Sequence, residues 1–335
     1  MNRLNKPLVL LAAAGLALAA CAAAPAAPAA PSKQVKVALV MPSASNDGAF
    51  SQSMFDALKA VQASMGGEAG MKLAVSEGMV QVPNAAAAIR DYAQQGYDLV
   101  IAHGTQYGNS LQEIAKDFPN IAFAWGTATD TFADKGIKNV FAYNPRAQEG
   151  GYALGVLAAK LSKSGIIGVC GPVEAGDAKT YVDGFKKGVT DTKKDAKVNV
   201  VYTGSFSDVS LMAAAAETHS KAGADVLTGS SQAVVGAIGV AKDKKAIWLG
   251  TQALQTALAP DTVGASQVYD FSGVVKEMLA LSAKGTKGGT AFELSLKTGG
   301  LKIVYNDKLS IPADAKAAVD AAMKGIIDGT IKPLP

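Results

Sequence analysis

Short runs of consecutive apolar residues alternate with longer stretches of helical periodicity from residue 35 onward. The first series predicts helices at about 52–64, 84–95 and 108–117, and strands at 35–41, 71–75, 98–102, 121–125 and 139–143. Strands that are apolar at nearly every position are typical of a parallel sheet whose two faces are both covered by helices. The pattern therefore predicts an α/β unit.

A second series of the same kind follows. It opens with a helix predicted over 144–163, in which Asn144 is the N-cap and Pro145 lies in the first turn. Further helices separate the strands that are predicted at 165–170, 197–202, 225–228 and 246–250. We therefore expect a second doubly wound unit of similar size.

The last part of the chain is less regular. It predicts a strand at 263–270, a helix at 271–284, and a hairpin over 292–307 that turns at Gly299-Gly300. A final helix is predicted at 312–329. Because these pieces follow two complete units, we expect the chain to cross back between the two domains.

The first 34 residues have the organisation of an exported protein. Arg3 and Lys6 precede an apolar run of about 12 residues, which is too short to span a bilayer. The run ends in "LAAC" (18–21), which resembles a bacterial lipobox and implies cleavage before Cys21 and a lipid on its sulfur. A plain signal peptide with a chance cysteine is the alternative. The proline-interrupted segment 22–34 predicts an extended tether.

Composition and charge narrow the classes of function. The chain has 335 residues, enough for two domains, and its net charge is +4. Without Arg3 and Lys6, 30 basic and 28 acidic residues remain, so we expect no nucleic-acid partner. Cys170 ends an apolar strand and is interpreted as a core residue. His103 and His219 are far apart in the sequence, so we expect neither a metal site nor a cofactor.

Ligands of open α/β sheets bind beyond the carboxyl ends of the strands, so the segments that follow each strand are candidate site residues. These segments share a content of aromatic rings (Phe50, Tyr107, Trp125, Phe206, Tyr269) and side-chain amides (Asn46, Gln106, Gln232, Gln252). Rings stack on planar heterocycles and amides bind their hydrogen-bonding edges. For each ring taken alone, packing within the protein is the alternative interpretation.

Enzyme motifs are missing from the sequence. It contains no G-x-G-x-x-G after a strand, no G-x-x-x-x-G-K-[ST] and no G-x-S-x-G. His103 follows a strand in "IAHGT" without an acidic neighbour, and we interpret it as a structural or ligand-contacting residue rather than a general base. We therefore expect a binding protein and not an enzyme.

Several stretches together resemble the basic membrane protein (BMP) family, the lipoprotein substrate-binding components of ABC transporters that include purine nucleoside receptors. The resemblance covers nearly all of 35–307 and is carried by segments such as "NDGAFSQSMFDAL" (46–58), "AQEGGYALGVLAAKLSKSGIIGVCG" (147–171) and "GSFSD" (204–208). It implies a type I periplasmic-binding-protein fold, in which three strands join two Rossmann-like lobes. It also implies that Phe50 and Phe206 sandwich a base, with Asn46 and Asp47 at its polar edge.

The chain departs from the family where ribose is usually held. Nucleoside-binding members carry an acidic "G-V-D-x-D-Q" segment, whereas this chain has "GTQALQ" (250–255), with Gln252 and Leu254 in place of the two aspartates. A family lysine aligns roughly with Tyr269. A glutamine offers one carbonyl oxygen where a carboxylate accepts two hydrogen bonds. A free nucleobase or another flat heterocycle is therefore a candidate beside a nucleoside.

These observations predict an extracytoplasmic solute-binding protein, a monomer held on a bacterial membrane by its lipid anchor, that delivers a purine-type ligand to an ABC permease. The predicted parts are a signal peptide (1–20), a lipidated cysteine and tether (21–34), lobe 1 (35–143 plus about 269–298) and lobe 2 (144–268 plus about 299–335). A sugar or other non-purine ligand, a sensory role and a nucleoside hydrolase are the alternatives.

Overall fold

The computed structural model describes Met1 and residues 34–334. The predicted signal peptide, Cys21 and the tether as far as residue 33 lie outside these described residues.

The body begins with alternating strands and helices. In chain order these are β1 (Val35–Val40), α1 (Phe50–Ser64), β2 (Met71–Ser76), α2 (Val82–Gln94), β3 (Leu99–Ala102), α3 (Gly108–Asp117), β4 (Ala122–Gly126) and β5 (Val140–Pro145). Short 3₁₀ turns lie at Gly67–Ala69, Thr105–Tyr107 and Ala133–Lys135.

The second series has the same alternation. It comprises α4 (Ala147–Leu161), β6 (Ile166–Gly171), α5 (Gly176–Thr192), β7 (Lys197–Tyr202), α6 (Val209–Lys221), β8 (Val226–Gly229), α7 (Val234–Asp243), β9 (Ile247–Gln252) and β10 (Val263–Tyr269). The chain ends with α8 (Ser272–Ala283), β11 (Ala291–Leu294), β12 (Leu301–Tyr305) and α9 (Ala313–Ile327).

The strands form two six-stranded sheets. The first has the order β11-β5-β4-β3-β1-β2 and is entirely parallel. The second has the order β12-β10-β9-β8-β6-β7, and only β12 runs antiparallel to its neighbour. In β1, Val37 and Leu39 are as completely buried as Ala38 and Val40 on the opposite face. The continuous apolar runs therefore belong to strands that are covered on both sides.

One predicted boundary and one predicted hairpin are wrong. β5 continues through Asn144 and Pro145, because these residues pair with Glu293 and Leu294 of β11, and α4 begins only at Ala147. The predicted hairpin over 292–307 does not form, because β11 belongs to the first sheet and β12 to the second. The apolar runs on both sides of Gly299-Gly300 imitate a hairpin, but the glycines lie where the chain passes from one sheet to the other.

Three crossings join the two sheets, and they bond to one another. After β5, the Arg146 N–H donates to the Leu294 carbonyl at 2.8 Å. The Leu296 N–H donates to Glu149 Oε2 at 2.8 Å, and the Asp270 N–H donates to the Gly300 carbonyl at 2.8 Å. We assign β1–β5, α1–α3, α8 and β11 to a first lobe and the remaining elements to a second lobe, with the three crossings as the hinge.

Candidate functional site

A cavity of about 280 Å³ lies where the carboxyl ends of the two sheets face each other. Its lining comes from segments that follow the strands of both lobes. The first lobe contributes Ser43, Phe50, Val80, Thr105, Gln106 and Thr127, and the second contributes Asp177, Phe206, Ser207, Gln232 and Gln252. Five side chains singled out from the sequence thus line one cavity, namely Phe50, Gln106, Phe206, Gln232 and Gln252.

Phe50 forms a rigid wall of the cavity. It is the first residue of α1, and its ring stacks on the His103 imidazole with centroids 3.8 Å apart and planes 9° apart. The His103 Nε2–H donates to the Phe50 carbonyl at 3.0 Å, and the Tyr143 hydroxyl donates to His103 Nδ1 at 2.7 Å. This pairing fixes the imidazole, and the imidazole fixes the phenyl ring above it.

His103 remains neutral in this environment. It is completely buried, and burial lowers the pKa of His103 from 6.5 to about 3, although the hydrogen bond to Phe50 opposes the shift. Both ring nitrogens are engaged within the protein. The histidine therefore supports the cavity wall and has no free nitrogen with which to take a proton from a ligand.

Phe206 lines the same cavity from the second lobe and differs from Phe50 in its surroundings. It lies in the segment after β7, and 44% of its surface is exposed. Its backbone is held because the Ser231 hydroxyl donates to the Phe206 carbonyl at 2.6 Å, and Asp208 caps α6 two residues later. A large exposed ring on a fixed backbone is suited to contact a ligand.

The other predicted site residues do not line this cavity. Asn46 is exposed, while the carboxylate of Asp47 accepts hydrogen bonds from the N–H groups of Ala49, Ser51 and Gln52 at the start of α1. Asp47, two residues before the N-cap Ala49, therefore satisfies N–H groups at the start of α1, and its acceptor capacity is used within its own loop.

Tyr107 and Trp125 are absent from the cavity lining and bond to the neighbouring loops instead. The buried Tyr107 hydroxyl donates to the Met79 carbonyl at 2.7 Å, and the Trp125 Nε1–H donates to the Gly104 carbonyl at 3.2 Å. Gly108 fits against the indole, since an added Cβ would lie 2.1 Å from the Trp125 ring. The two aromatic residues therefore stabilise the loop that contains Thr105 and Gln106.

Asp177 is the charged lining residue that the sequence analysis missed. It lies in the first turn of α5, just after Gly176, whose φ is +59°. The Tyr269 hydroxyl donates to Asp177 Oδ2 at 3.4 Å. Burial raises the pKa of Asp177, against hydrogen bonds from the Gln252 side chain, the Ala178 N–H and Tyr269. An acidic residue in the first turn of a helix that follows a strand is the sequence signal that points to it.

Gln252 lies beside Asp177 at the end of β9. It is 4% exposed, its φ is +72°, and its Oε1 is buried without a hydrogen-bond partner among the described residues. A non-glycine residue in this left-handed region costs roughly 1–3 kcal/mol and is often found at ligand sites. Thr127, which also lines the cavity, has a φ of +54°. Of the two departures noted in 250–255, only Gln252 faces the cavity, since Leu254 is absent from its lining.

A second cavity of about 250 Å³ lies on the other side of Gln252 and Tyr269, between α1 and the crossing that follows β10. Two charged residues in its lining, Asp270 and Lys302, pair with each other at 2.6 Å. The first cavity contains unpaired acceptors and two aromatic walls, so we take the first as the candidate site.

Comparison with known proteins agrees with this geometry. The model of a family described as "ABC transporter substrate-binding protein PnrA-like" matches residues 34–333. The chain belongs to the Bmp family. The resemblance stated from the sequence is thereby confirmed, and the Bmp protein is a substrate-binding component of an ABC transporter system.

Relatives and a solved structure extend this result. A purine-binding protein of Brucella abortus is 28% identical over 257 residues, which are 77% of this chain and 71% of that protein. The ABC transporter nucleoside-binding protein BmpA of Lactococcus lactis is 27% identical over 322 residues, covering 89% and 88% of the two chains. An ABC transporter solute-binding protein of Conexibacter woesei has a TM-score of 0.74 and 23% identity, over 90% of this Bmp protein and 98% of that chain. The fold is the expected type I periplasmic-binding-protein fold.

Within residues 34–334, no group of three metal-ligating side chains occurs. No helix in the described part of this Bmp protein is both long and apolar enough to cross a bilayer.

Proposed function

We propose that this protein is a lipid-anchored, extracytoplasmic substrate-binding protein that carries a purine-type ligand, a nucleobase or a nucleoside, between its two lobes. The observation that carries the proposal is the placement of Phe50 and Phe206, one from each lobe, in the lining of one cavity. Names of relatives support the ligand class, since one is called purine-binding and another nucleoside-binding.

Stacking gives the site its preference for flat ligands. A planar base between two phenyl rings buries apolar area on both faces, and aromatic pairs contribute about 0.5–1.5 kcal/mol beyond that burial. The amides of Gln106, Gln232 and Gln252 each offer a donor and an acceptor in the same cavity. The rings thus favour a flat ligand, and the amides favour a ligand whose edge carries matching hydrogen-bond donors and acceptors.

Closure of the lobes completes the site. Phe50 and Phe206 lie on different lobes, so a ligand that contacts both rings favours the closed arrangement over the open one. The closed form then docks on the permease of the ABC importer, and ligand binding involves no chemical reaction.

Substitution of the exposed ring tests the stacking model. Phe206→Ala is expected to raise the Kd for a purine base or nucleoside by roughly 5- to 150-fold, the cost of about 1–3 kcal/mol for a base–aromatic stack. Val209→Ala is a matched control, because Val209 is 45% exposed on the adjacent helix α6 and does not line the cavity. Isothermal titration calorimetry gives both values, and equal affinities for Phe206→Ala and the wild type would refute the stacking model.

Three measurements separate the alternative ligands and functions: ligand titration, product analysis and a transport assay. Binding of a sugar, with no response to any base or nucleoside, would leave the substrate-binding function and remove the purine class. Conversion of inosine or adenosine to a free base would reveal a hydrolase. If the protein has a sensory role, it should bind the same ligand, but a strain that lacks the protein should still take that ligand up. A transport assay in a deletion strain measures this uptake.

The lipid anchor is a separate part of the proposal. Cleavage before Cys21 and acylation of its sulfur would hold the mature protein on the outer side of a bacterial membrane, since buried acyl CH₂ groups contribute about 0.8 kcal/mol each. Cys21→Ser is expected to move the protein from the membrane fraction to the soluble fraction and to abolish incorporation of a fatty-acid label. Membrane association and labelling of Cys21→Ser equal to those of the wild type would contradict acylation at Cys21.

A further inference from the structure

The candidate cavity contains a carboxylate with no cationic partner. Asp177 is the charged residue of its lining, and no lysine or arginine of residues 34–334 forms an ion pair with it within 4.0 Å. Lys179, two residues further along α5, pairs with Asp183 and Glu174 instead. A ligand in this cavity therefore meets a carboxylate that hydrogen bonds hold in place but that no cationic side chain of residues 34–334 neutralises.

Two side-chain oxygens of the cavity lining also lack a hydrogen-bond donor among the described residues. Oε1 of Gln252 and Oε1 of Gln232 are buried and, among the described residues, accept no hydrogen bond. Both residues line the cavity together with Asp177. Buried acceptors left without donors are costly, and native structures rarely keep them without a reason. A ligand that supplies O–H or N–H groups removes this cost.

The carboxylate is held in place by the hinge. The Tyr269 hydroxyl donates to Asp177 Oδ2, and Tyr269 is the last residue of β10 before the chain crosses to the first lobe. Burial and the charge of Asp177 raise the pKa of Tyr269 well above 10, so the hydroxyl stays protonated and can donate. The sequence departs from the nucleoside-binding pattern at Gln252, Leu254 and Tyr269, and the structure places two of these three, Gln252 and Tyr269, against Asp177.

We infer that Asp177 is a specificity-determining residue which, with Gln252 Oε1, accepts hydrogen bonds from a ligand end that carries adjacent O–H or N–H donors and no negative charge. This inference rests on the proposed ligand cavity. Adjacent donors come from two sources, the vicinal hydroxyls of a ribose or the N–H edge of a free base. A phosphorylated ligand would bring further negative charge into a cavity whose one charged lining residue is Asp177, so we expect nucleotides to bind more weakly than nucleosides.

Calorimetric titration of three proteins tests this inference. The wild type, Asp177→Asn and Asp183→Asn are each titrated with a purine base, its nucleoside and the nucleoside 5′-monophosphate. Asp183 lies on the same helix, pairs with Lys179 at 2.7 Å and does not line the cavity. We expect Asp177→Asn to weaken binding by about 10- to 100-fold. Asp183→Asn should bind as the wild type does, and the monophosphate should bind the wild type at least about 100-fold more weakly than the nucleoside.

The pattern of losses identifies the donor. If Asp177→Asn weakens the nucleoside alone, Asp177 holds ribose; if it weakens base and nucleoside alike, Asp177 binds the edge of the base. Equal affinity of Asp177→Asn and the wild type for every ligand, or strong wild-type binding of the monophosphate, would overturn the inference.

Thermal denaturation without ligand separates a binding role from a structural one. Asparagine removes a buried charge and keeps the carbonyl oxygen that accepts from Tyr269, so the melting temperature of unliganded Asp177→Asn should equal or exceed that of the wild type. A lower melting temperature together with lower affinity would indicate a structural role and contradict the inference.

If the purine proposal fails, the result is different: the wild type itself binds no base and no nucleoside in the titrations. Asp177 is then tested with the ligand that copurifies with the wild type. Loss of that ligand from Asp177→Asn supports the inference, and its retention at the same occupancy overturns it.

Discussion

Phe50 and His103 act as one unit at the scale of single residues. The imidazole lies parallel to the phenyl ring, and it also hydrogen-bonds the Phe50 carbonyl and the Tyr143 hydroxyl. Because burial lowers the pKa of His103 to about 3, the unfolded chain takes up a proton between pH 6.5 and 3 that the folded protein does not. The stability that neutral His103 contributes is therefore complete above pH 6.5 and is lost as the pH falls towards 3.

A pH series of urea unfolding curves tests this linkage. The free energy of unfolding of the wild type should fall by about 1.4 kcal/mol per pH unit for this histidine below pH 6.5. His103→Gln should be less stable at pH 7, because a cavity wall is disturbed, but its stability should fall less steeply with decreasing pH. His219, whose pKa burial also lowers, is present in both proteins and contributes equally. Parallel curves for the two proteins would contradict a neutral, buried His103.

The site residues were partly predictable from the sequence, for a physical reason. Phe50 and Phe206 were found because large rings just beyond strand ends lie where α/β ligands bind. Tyr107 and Trp125 also follow strands but bond to backbone carbonyls outside the cavity lining. A sequence does not reveal which side chains of a short loop face the cleft. Asp177 escaped notice because an acidic residue in a first helical turn is an ordinary feature of helix starts.

At the scale of elements, the sequence predicts the strands well and the connections less well. The buried parallel strand β3 is apolar at every position, and β1 is apolar at every position except Lys36; this pattern has few other interpretations. The assignment of β11 and β12 depends on pairing with Ala142–Pro145 and Ala265–Tyr269, which are remote in sequence. Local alternation around Gly299-Gly300 contains no information on these partners, so it imitated a hairpin.

At the scale of the whole molecule, aromatic contacts connect the cavity walls to the hinge. Phe271 lies in the crossing between β10 and α8, and its ring meets the rings of His103, Tyr143 and Tyr269 edge-on at 5.4–6.1 Å. His103 supports Phe50 in the first lobe, and Tyr269 bonds Asp177 in the second. The hinge residue Phe271 thus contacts His103, which packs on Phe50, and Tyr269, which bonds Asp177.

Substitution of Phe271 tests this connection. Phe271→Leu should lower the free energy of unfolding by about 1–2 kcal/mol, as is usual for a reduced core side chain, and should also weaken ligand binding several-fold. Phe185→Leu is the matched control, because Phe185 is equally buried but lies on α5 within the second lobe. It should lose similar stability and keep its affinity. Urea unfolding and calorimetry supply both numbers, and equal affinities for the two variants would argue against a role of the hinge ring in the site.

The central claim is that a purine-type ligand stacks between Phe50 and Phe206, and identification of the bound ligand tests it most directly. The protein is purified gently, denatured, and the released small molecules are analysed by mass spectrometry and ultraviolet absorbance. We predict a purine base or nucleoside at near-stoichiometric amount in the wild type and its loss from Phe206→Ala. Release of a sugar or an amino acid, with no ultraviolet-absorbing heterocycle, would contradict the claim.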